Sequence, residues 1–438
     1  MRELEARFPA TLVAIGVHSA KFPNERDDEH LRLAVQRLEI AHPVVNDAGF
    51  AVWNAYAVRA WPTLIFVDPE GKVIGKHEGE FTLDQMEPVI AGMLAEFEAA
   101  GLLSPTPHPL PAPRPLAAPT TPLAFPGKVH ADASHDRLYI ADSNHNRIVV
   151  TTLAGDVAQV YGSGAAGFID GPPERAAFHR PQGLTLHAES DALYVADTEN
   201  HAIRKIELTS GATTTIAGTG EQAHSYLSGG AALETPLTSP WDVCVVDGVL
   251  YIAMAGNHQL WMHRLGTEDV RRFAGSGHEG LRDGATAGAW LAQPSGLTQF
   301  GARPALLFTD SETSSVRVTD LPGFGSGQVT TLLGEDLFEF GDVDGAPDVA
   351  RLQHPLGVAY DRDTGVVYIA DTYNHKIKRI DPQTGNLETW LDEDAGLNEP
   401  AGLSISDGAL WIADTNNHRI LRAEIVTRRL TMVELRQP

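Results

Sequence analysis

The chain has 438 residues, 43% of them hydrophobic, a single cysteine and a formal charge of −24. That length accommodates two or three domains, no apolar run is long enough to cross a bilayer as a helix, and one cysteine excludes an intrachain disulfide and fits a reducing, cytoplasmic setting. The acidic balance argues against nucleic acid and anionic membranes as partners, since both require a basic surface.

In chain order, "ATLVAIGVHS" (10–19) reads as a core strand. It has no basic region before it and no small-residue cleavage pattern after it, so it is not read as a signal peptide. "NERDDEHLRLAVQRLEI" then starts a helix at Asn24, with an acidic first turn and Leu31, Val35 and Leu38 on one face. "AGFAVWNAYAV" (48–58) is a second, short helix. "WPTLIFVDPEGKVIGKHEGE" (61–80) is a hairpin about an Asp-Pro-Glu-Gly turn, and a closing helix over 82–100 ends at Gly101. Residues 101–122 contain eight prolines and read as a semi-rigid polyproline II spacer of ~3 Å per residue, the alternative being a docking segment for a proline-binding module.

From residue 123 the chain repeats. The copies are "LYIADSNHNRI" (138–148), "LYVADTENHAI" (193–203), "LYIAMAGNHQL" (250–260), "LLFTDSETSSV" (306–316), "VYIADTYNHKI" (367–377) and "LWIADTNNHRI" (410–420). Their spacings of 55, 57, 56, 61 and 43 residues suit the roughly 40–45 residues of a four-stranded propeller blade, most of them with an insertion. Six blades follow. The recurrent Asp ends the second strand, where its carboxylate is expected to accept amides of the next two or three residues. His201, His258, His375 and His418 share one register. Spread once per blade around a ring, they suit turn building better than a shared metal ion, and no metal site is expected.

These residues resemble the NHL repeat. Together with "IGVHSAKFPNE" (15–25), "HPVVND" (42–47) and "WPTL" (61–64), the whole chain resembles the thioredoxin-like, NHL-repeat-containing protein family. The resemblance implies a multidomain chain: an α/β thioredoxin-like domain at 1–100, the linker at 101–122, and an all-β six-bladed NHL propeller at 123–438. It also implies that the first strand and a Cys-x-x-Cys-like motif belong upstream of "RELEARFP", so the thioredoxin-like part is incomplete at its N-terminus, and that a further β-rich domain follows in the family. Trp61, Pro62 and Thr63 match the loop whose proline is cis in thioredoxin folds. That loop is either a peptide-binding loop or a rigid turn into a core strand.

Three insertions share a register: Asp-Gly, then Ala at six, Phe or Leu at eight and Pro at eleven residues after the Asp, in 170–183, 283–296 and 344–357. A fourth, 229–242, lacks the Asp. They are expected to be ordered caps over blade junctions, on the same face as the hairpin turns. Glycine begins the innermost strand in four blades, and Lys128 and Asp242 replace it in the other two. These two residues are expected near the mouth of the central channel, as an ion pair or a small-ligand site. The leading functional reading is a non-enzymatic, monomeric binding or scaffold protein for a protein or peptide partner, with no cofactor. The alternatives are a thiol-disulfide redox protein whose cysteines lie upstream, and, behind it, a propeller hydrolase or lyase.

Overall fold

The computed structural model describes residues 1–104, 121–224, 227–301, 305–323 and 327–436. The spacer reading of 101–122 therefore falls mostly outside the described residues. The chain divides into two compact units, Met1–Ala118 and Pro119–Pro438.

In the first unit, helices Arg2–Arg7, Asp28–Arg37, Ala51–Ala55 and Leu83–Ala99 alternate with two small sheets. Gly16–His18 pairs in parallel with Val44–Asn46, and Thr63–Val67 pairs with Val73–Glu78 as an antiparallel hairpin. Leu4, Met86 and Ile90 are buried together, with Phe8, Leu64, Phe66 and Leu94 packed around them. The strand expected over 10–19 contracts to three residues. The helix expected from Asn24 starts later, at Asp28: Pro23–Arg26 forms a separate 3₁₀ turn, and Asp27 rather than Asn24 caps the helix, accepting from the amides of Glu29 and His30 at 2.8 and 3.2 Å. Thr82 caps the last helix in a reciprocal box with Gln85.

The second unit is a ring of six antiparallel sheets. Their innermost strands begin at Pro126, Pro181, Pro240, Pro294, Gly357 and Pro400, and each sheet runs outward in chain order through four strands. Each blade's second strand is buried on both faces between its neighbours. Six apolar clusters fill the six junctions, the last joining Trp411 and Ile420 of blade 6 to Leu138 and Ile140 of blade 1. The insertion residues predicted as plugs lie in these clusters: Ala176 and Phe178, Ala289 and Leu291, Ala350 and Leu352.

The same insertions do something the sequence reading did not anticipate. Each passes along the outer rim and pairs with the outermost strand of the blade it precedes. The pairings are Gly171 with Thr213, Gly229–Ala231 with Asp269–Arg271, Gly284–Ala285 with Gln328–Val329, and Gly345 with Leu387. Blades 2 to 5 thereby gain an edge segment that covers backbone groups otherwise open to pairing with another chain. Blade 1 is covered differently: Val157 N–H donates to Arg436 O and Arg436 N–H to Gly155 O, each at 2.9 Å. The tail after blade 6 thus crosses to the first blade and helps close the ring.

Candidate functional site

The repeated carboxylates sit at the heart of each blade. Asp142, Asp197, Asp310, Asp371 and Asp414 are fully buried. Their Oδ1 atoms do not serve the following turn, as the sequence reading expected. They accept instead from the amide two residues before the proline that leads into the inner strand of the same blade: Ala124, His179, Ala292, Gln353 and Asn398, at 2.7–2.8 Å. Blade 3 has Met254 in this register, and its sulfur receives the equivalent amide of Thr238 at 3.4 Å. The Oδ2 atoms take a cation or an amide. Asn200 and Arg204 bond Asp197, Asn374 bonds Asp371, and Arg317 bonds Asp310.

The register histidines link neighbouring blades. Each sits in the left-handed region after a one-turn 3₁₀ segment, and its Nδ1 accepts an amide from the residue just before the next blade's inner strand. Ser239 donates to His201, Gln293 to His258, Glu399 to His375 and Phe125 to His418, at 3.0–3.3 Å. In the two remaining blades Asn146 Oδ1 accepts from Arg180 and Ser314 Oγ from His354, at 3.0 and 3.1 Å. Six equivalent latches circle the ring. A nitrogen that accepts an N–H carries its lone pair there, so these imidazoles are neutral with the proton on Nε2. Burial holds His201 and His418 below the ordinary imidazole value. Among the described residues no group of three or more His, Cys, Asp or Glu side chains converges as metal ligands do.

Asp-Gly at the head of three insertions also has a specific partner. Asp170, Asp283 and Asp344 each accept the amide and hydroxyl of a Thr in the outermost strand: Thr215, Thr331 and Thr389. Each is joined to the hairpin Asp by one buried cation between the two carboxylates. Arg204 bridges Asp170 and Asp197, Arg317 bridges Asp283 and Asp310, and Lys378 lies 3.0 Å from Asp344 and 3.7 Å from Asp371. These cations were missed in the sequence reading. Their signal was present: a basic residue stands seven positions after the hairpin Asp in those three blades, where Val149, Trp261 and Leu421 stand in the others.

At the axis the inner strands crowd one another. A methyl group on Gly183 would lie 2.4 Å from Asp242 Cα, on Gly357 2.4 Å from Ala401 O, and on Gly402 2.6 Å from Lys128 Cα. Lys128 and Asp242, 5% and 7% exposed, are drawn into this constriction. Lys128 Nζ donates to Leu356 O and, at 2.8 Å, to Ala401 O, reaching across the axis to blades 5 and 6. Asp242 accepts from Val243 N and Leu297 N at 2.9 Å. Burial pushes the lysine down to about 8 and the aspartate up to about 6, each pulled partway back by the other's charge. They sense one another, but their hydrogen bonds go to backbone.

In the first unit the Trp61–Pro62 peptide is cis. Trp61 is 48% exposed, its ring lies 4.4 Å from that of Trp53, and its indole N–H donates to Ser19 O at 2.7 Å. Buried Asp47 accepts from Ser19 Oγ and from the amides of Val52 and Trp53, fixing the helix that carries Trp53. Thr63 Oγ1 turns inward to Ala60 O. The lone thiol, Cys244, is buried in the inner strand of blade 3, and burial pushes it up to about 12.

The NHL repeat profile matches residues 178–206, 237–261, 352–380 and 397–422, which cover parts of blades 2, 3, 5 and 6. The chain is 43% identical over 414 residues to Protein SUPPRESSOR OF QUENCHING 1, chloroplastic, of Arabidopsis thaliana, covering 90% of this chain and 39% of that protein. It is 39% identical over 448 residues to NHL repeat-containing protein 2 of Gallus gallus, covering 93% of this chain and 61% of that one. The chain thus spans between about two fifths and three fifths of the length of these relatives. A solved structure of a protein of unknown function from Bacteroides thetaiotaomicron superposes with a TM-score of 0.50 at 15% identity, over 68% of each chain, a likeness of fold alone. No helix among the described residues is long and apolar enough to cross a membrane. The second unit is thus a six-bladed propeller carrying NHL repeats, in a chain homologous to NHL repeat-containing protein 2 and to Protein SUPPRESSOR OF QUENCHING 1.

Proposed function

We propose that this protein is a non-enzymatic binding scaffold that engages a protein or peptide partner. One observation carries the reading: the groups that could do chemistry are committed to holding the propeller together. The hairpin carboxylates hold blade entries, the register histidines hold neighbouring blades, and Lys128 and Asp242 hold inner strands at the axis. A propeller whose polar interior is used this way offers its surface. The hairpin turns and the insertion ends share one face, since the turn amides of Glu199, Glu312, Tyr373 and Asn416 bond His179, Ala292, Gln353 and Asn398 carbonyls. That face carries the long connections on which binding groups usually sit.

The first unit is read as thioredoxin-like and as a second docking surface. Its element order and the half-exposed Trp61 beside Trp53 support this reading. Within the chain, Cys244 is a poor nucleophile because its thiol is buried and held protonated. A redox role belongs to the reading in which cysteines lie upstream. Cytoplasmic placement rests on cysteine usage alone. Lys128 and Asp242 are read as fasteners at the axis, with a small ligand at the channel mouth as the competing reading.

The test uses a photoreactive amino acid at Leu233 or Val349 on the insertions, at Tyr56 beside the Trp pair, and at Ser134 or Asp407 in the opposite-face turns. Discrete adducts from the first two groups, lost on adding unlabelled protein, are expected. Adducts confined to Ser134 and Asp407 would place the docking surface on the other side. A ligand-dependent protection of Lys128 from amine modification would favour the channel-mouth reading.

A further inference from the structure

We propose that the seam between blade 6 and blade 1 is an acid-sensitive clasp, released when the imidazole of His418 takes up a proton at Nδ1. The seam differs from the other five junctions in its covalent connectivity. There the polypeptide passes directly from one blade to the next, so a broken latch leaves the blades tethered. Between blades 6 and 1 the ring is closed by non-covalent contacts.

One group of those contacts lies on the segment leading into blade 1. Phe125 N–H donates to His418 Nδ1 at 3.0 Å, and the Phe125 ring stands edge-on to the imidazole, 4.3 Å away at 83°. Phe125 is itself in the left-handed region, at φ 47°, which costs a non-glycine residue energy and is held by its surroundings. Thr415 Oγ1 bonds Pro126 O alongside. Protonation at Nδ1 turns the acceptor into a second donor facing an amide donor, so the bond is replaced by a repulsion. Phe125 then loses the partner that holds its strained backbone.

The groups facing His418 are few. From the hairpin of blade 1 come His145, which opposes its protonation, and Asp142, which favours it. Arg147 is tied to that same Asp142, at 2.7 Å. On its own blade Arg419 is tied to Asp414 at 2.7 Å. The segment Leu123–Pro126 brings no titratable side chain. The protein also supplies its own control: Asn146 and Ser314 make the same latch through oxygen atoms that do not titrate near neutrality.

The experiment is amide hydrogen exchange on the full chain at about pH 7.5 and about pH 5.5, corrected for intrinsic rates, in the native protein and in His418→Asn. The native protein is expected to lose about tenfold in protection over residues 121–126 at the lower pH, and His418→Asn to lose none, because Asn replaces the imidazole without a titrating atom. Equal losses in both proteins, or no loss in the native one, would overturn the proposal. The oxygen latch of blade 1 gives a second reading that needs no variant. The Arg180 amide, held by Asn146 Oδ1, should keep its protection over the same pH interval, and an equal loss at Arg180 and at residues 121–126 counts against the clasp whatever the fate of His418→Asn.

Discussion

At the residue scale, the hairpin Asp is a three-way connector. Asp371 receives the amide of Gln353, the side chain of Asn374 and the charge of Lys378, all without solvent. Truncation to Ala leaves the buried Gln353 amide and the Asn374 side chain short of an acceptor, a loss of about 1–3 kcal/mol, while Lys378 keeps Asp342 at 2.6 Å and Asp344 at 3.0 Å. Chemical denaturation of Asp371→Ala should show it, and Asp371→Asn, which still accepts the amide, should lose less. Blade 3 makes the converse case. Met254 stands where the others have Asp, and Trp261 occupies the position of the cation. Met254→Asp restores the repeat's letter yet buries a carboxylate with no cation seven residues on. The substitution should lower the melting temperature despite improving the match to the repeat. A rise would show that the Asp stabilises through its backbone bond alone.

The histidine latches add a pH dependence with a defined sign. His201 and His418 have folded values below the ordinary 6.5, so the native state binds these protons less readily than the unfolded chain. Their contribution to stability is complete above about 6.5 and is lost as pH falls through the folded value. A melting series from neutral to mildly acidic buffer should fall on the acid side, and His201→Asn should flatten part of that fall. A slope unchanged in the variant would mean that the acid sensitivity resides elsewhere.

At the element scale, the insertions combine a junction plug with an edge cover, and only the plug was legible in the sequence. Phe178, Leu291 and Leu352 are apolar, recur at fixed spacing from Asp-Gly and need only a junction to fill. The edge pairing rests on backbone at Gly171, Gly284 and Gly345, which carry no side-chain pattern. Their φ of 138–148° is reachable by glycine and by few other residues. The latches were illegible for a different reason. Their acceptor and donor lie 24 to 40 residues apart across a junction, and 293 apart at the seam, beyond any local periodicity. The bridging cations were readable in principle, because they appear in the three blades whose insertions carry Asp-Gly. Asp283→Ala should release the insertion over 283–290 from the outermost strand of blade 4. Faster proteolysis there and a greater tendency to self-associate are expected, with the plug residues Ala289 and Leu291 still holding the fold. If the insertion stays as protected as before, Arg317 and the glycine backbone suffice without the carboxylate.

At the scale of the whole molecule, the propeller has to close a ring whose first and last blades lie about three hundred residues apart in sequence. The inner strands do part of this at the axis, where Lys128 of blade 1 donates to Ala401 O of blade 6 and Ser404 Oγ receives Ala131 N–H at 3.0 Å. The outer rim is closed by the tail. Val433 is buried in the seam cluster with Trp411 and Leu138, and Arg436 pairs with Asp156 at 2.7 Å while its backbone bonds Gly155 and Val157. The Arg436–Asp156 pair is solvent-exposed and contributes little by itself. The fastening comes from the buried valine and the backbone pairing. Arg436→Ala should therefore leave the melting temperature nearly unchanged, whereas Val433→Ala should cost about 1–3 kcal/mol, as methyl groups lost from a filled core do. A chain ended after Met432 loses both the valine and the edge cover, so exchange should rise first along Val157–Tyr161 of blade 1 and along Leu430–Met432, ahead of blades 3 and 4. Uniform loosening around the ring would mean that closure is shared by all six junctions. Loosening that begins at the first and last blades would locate the tail as the outer fastener of a ring whose inner fasteners are Lys128 and Ser404.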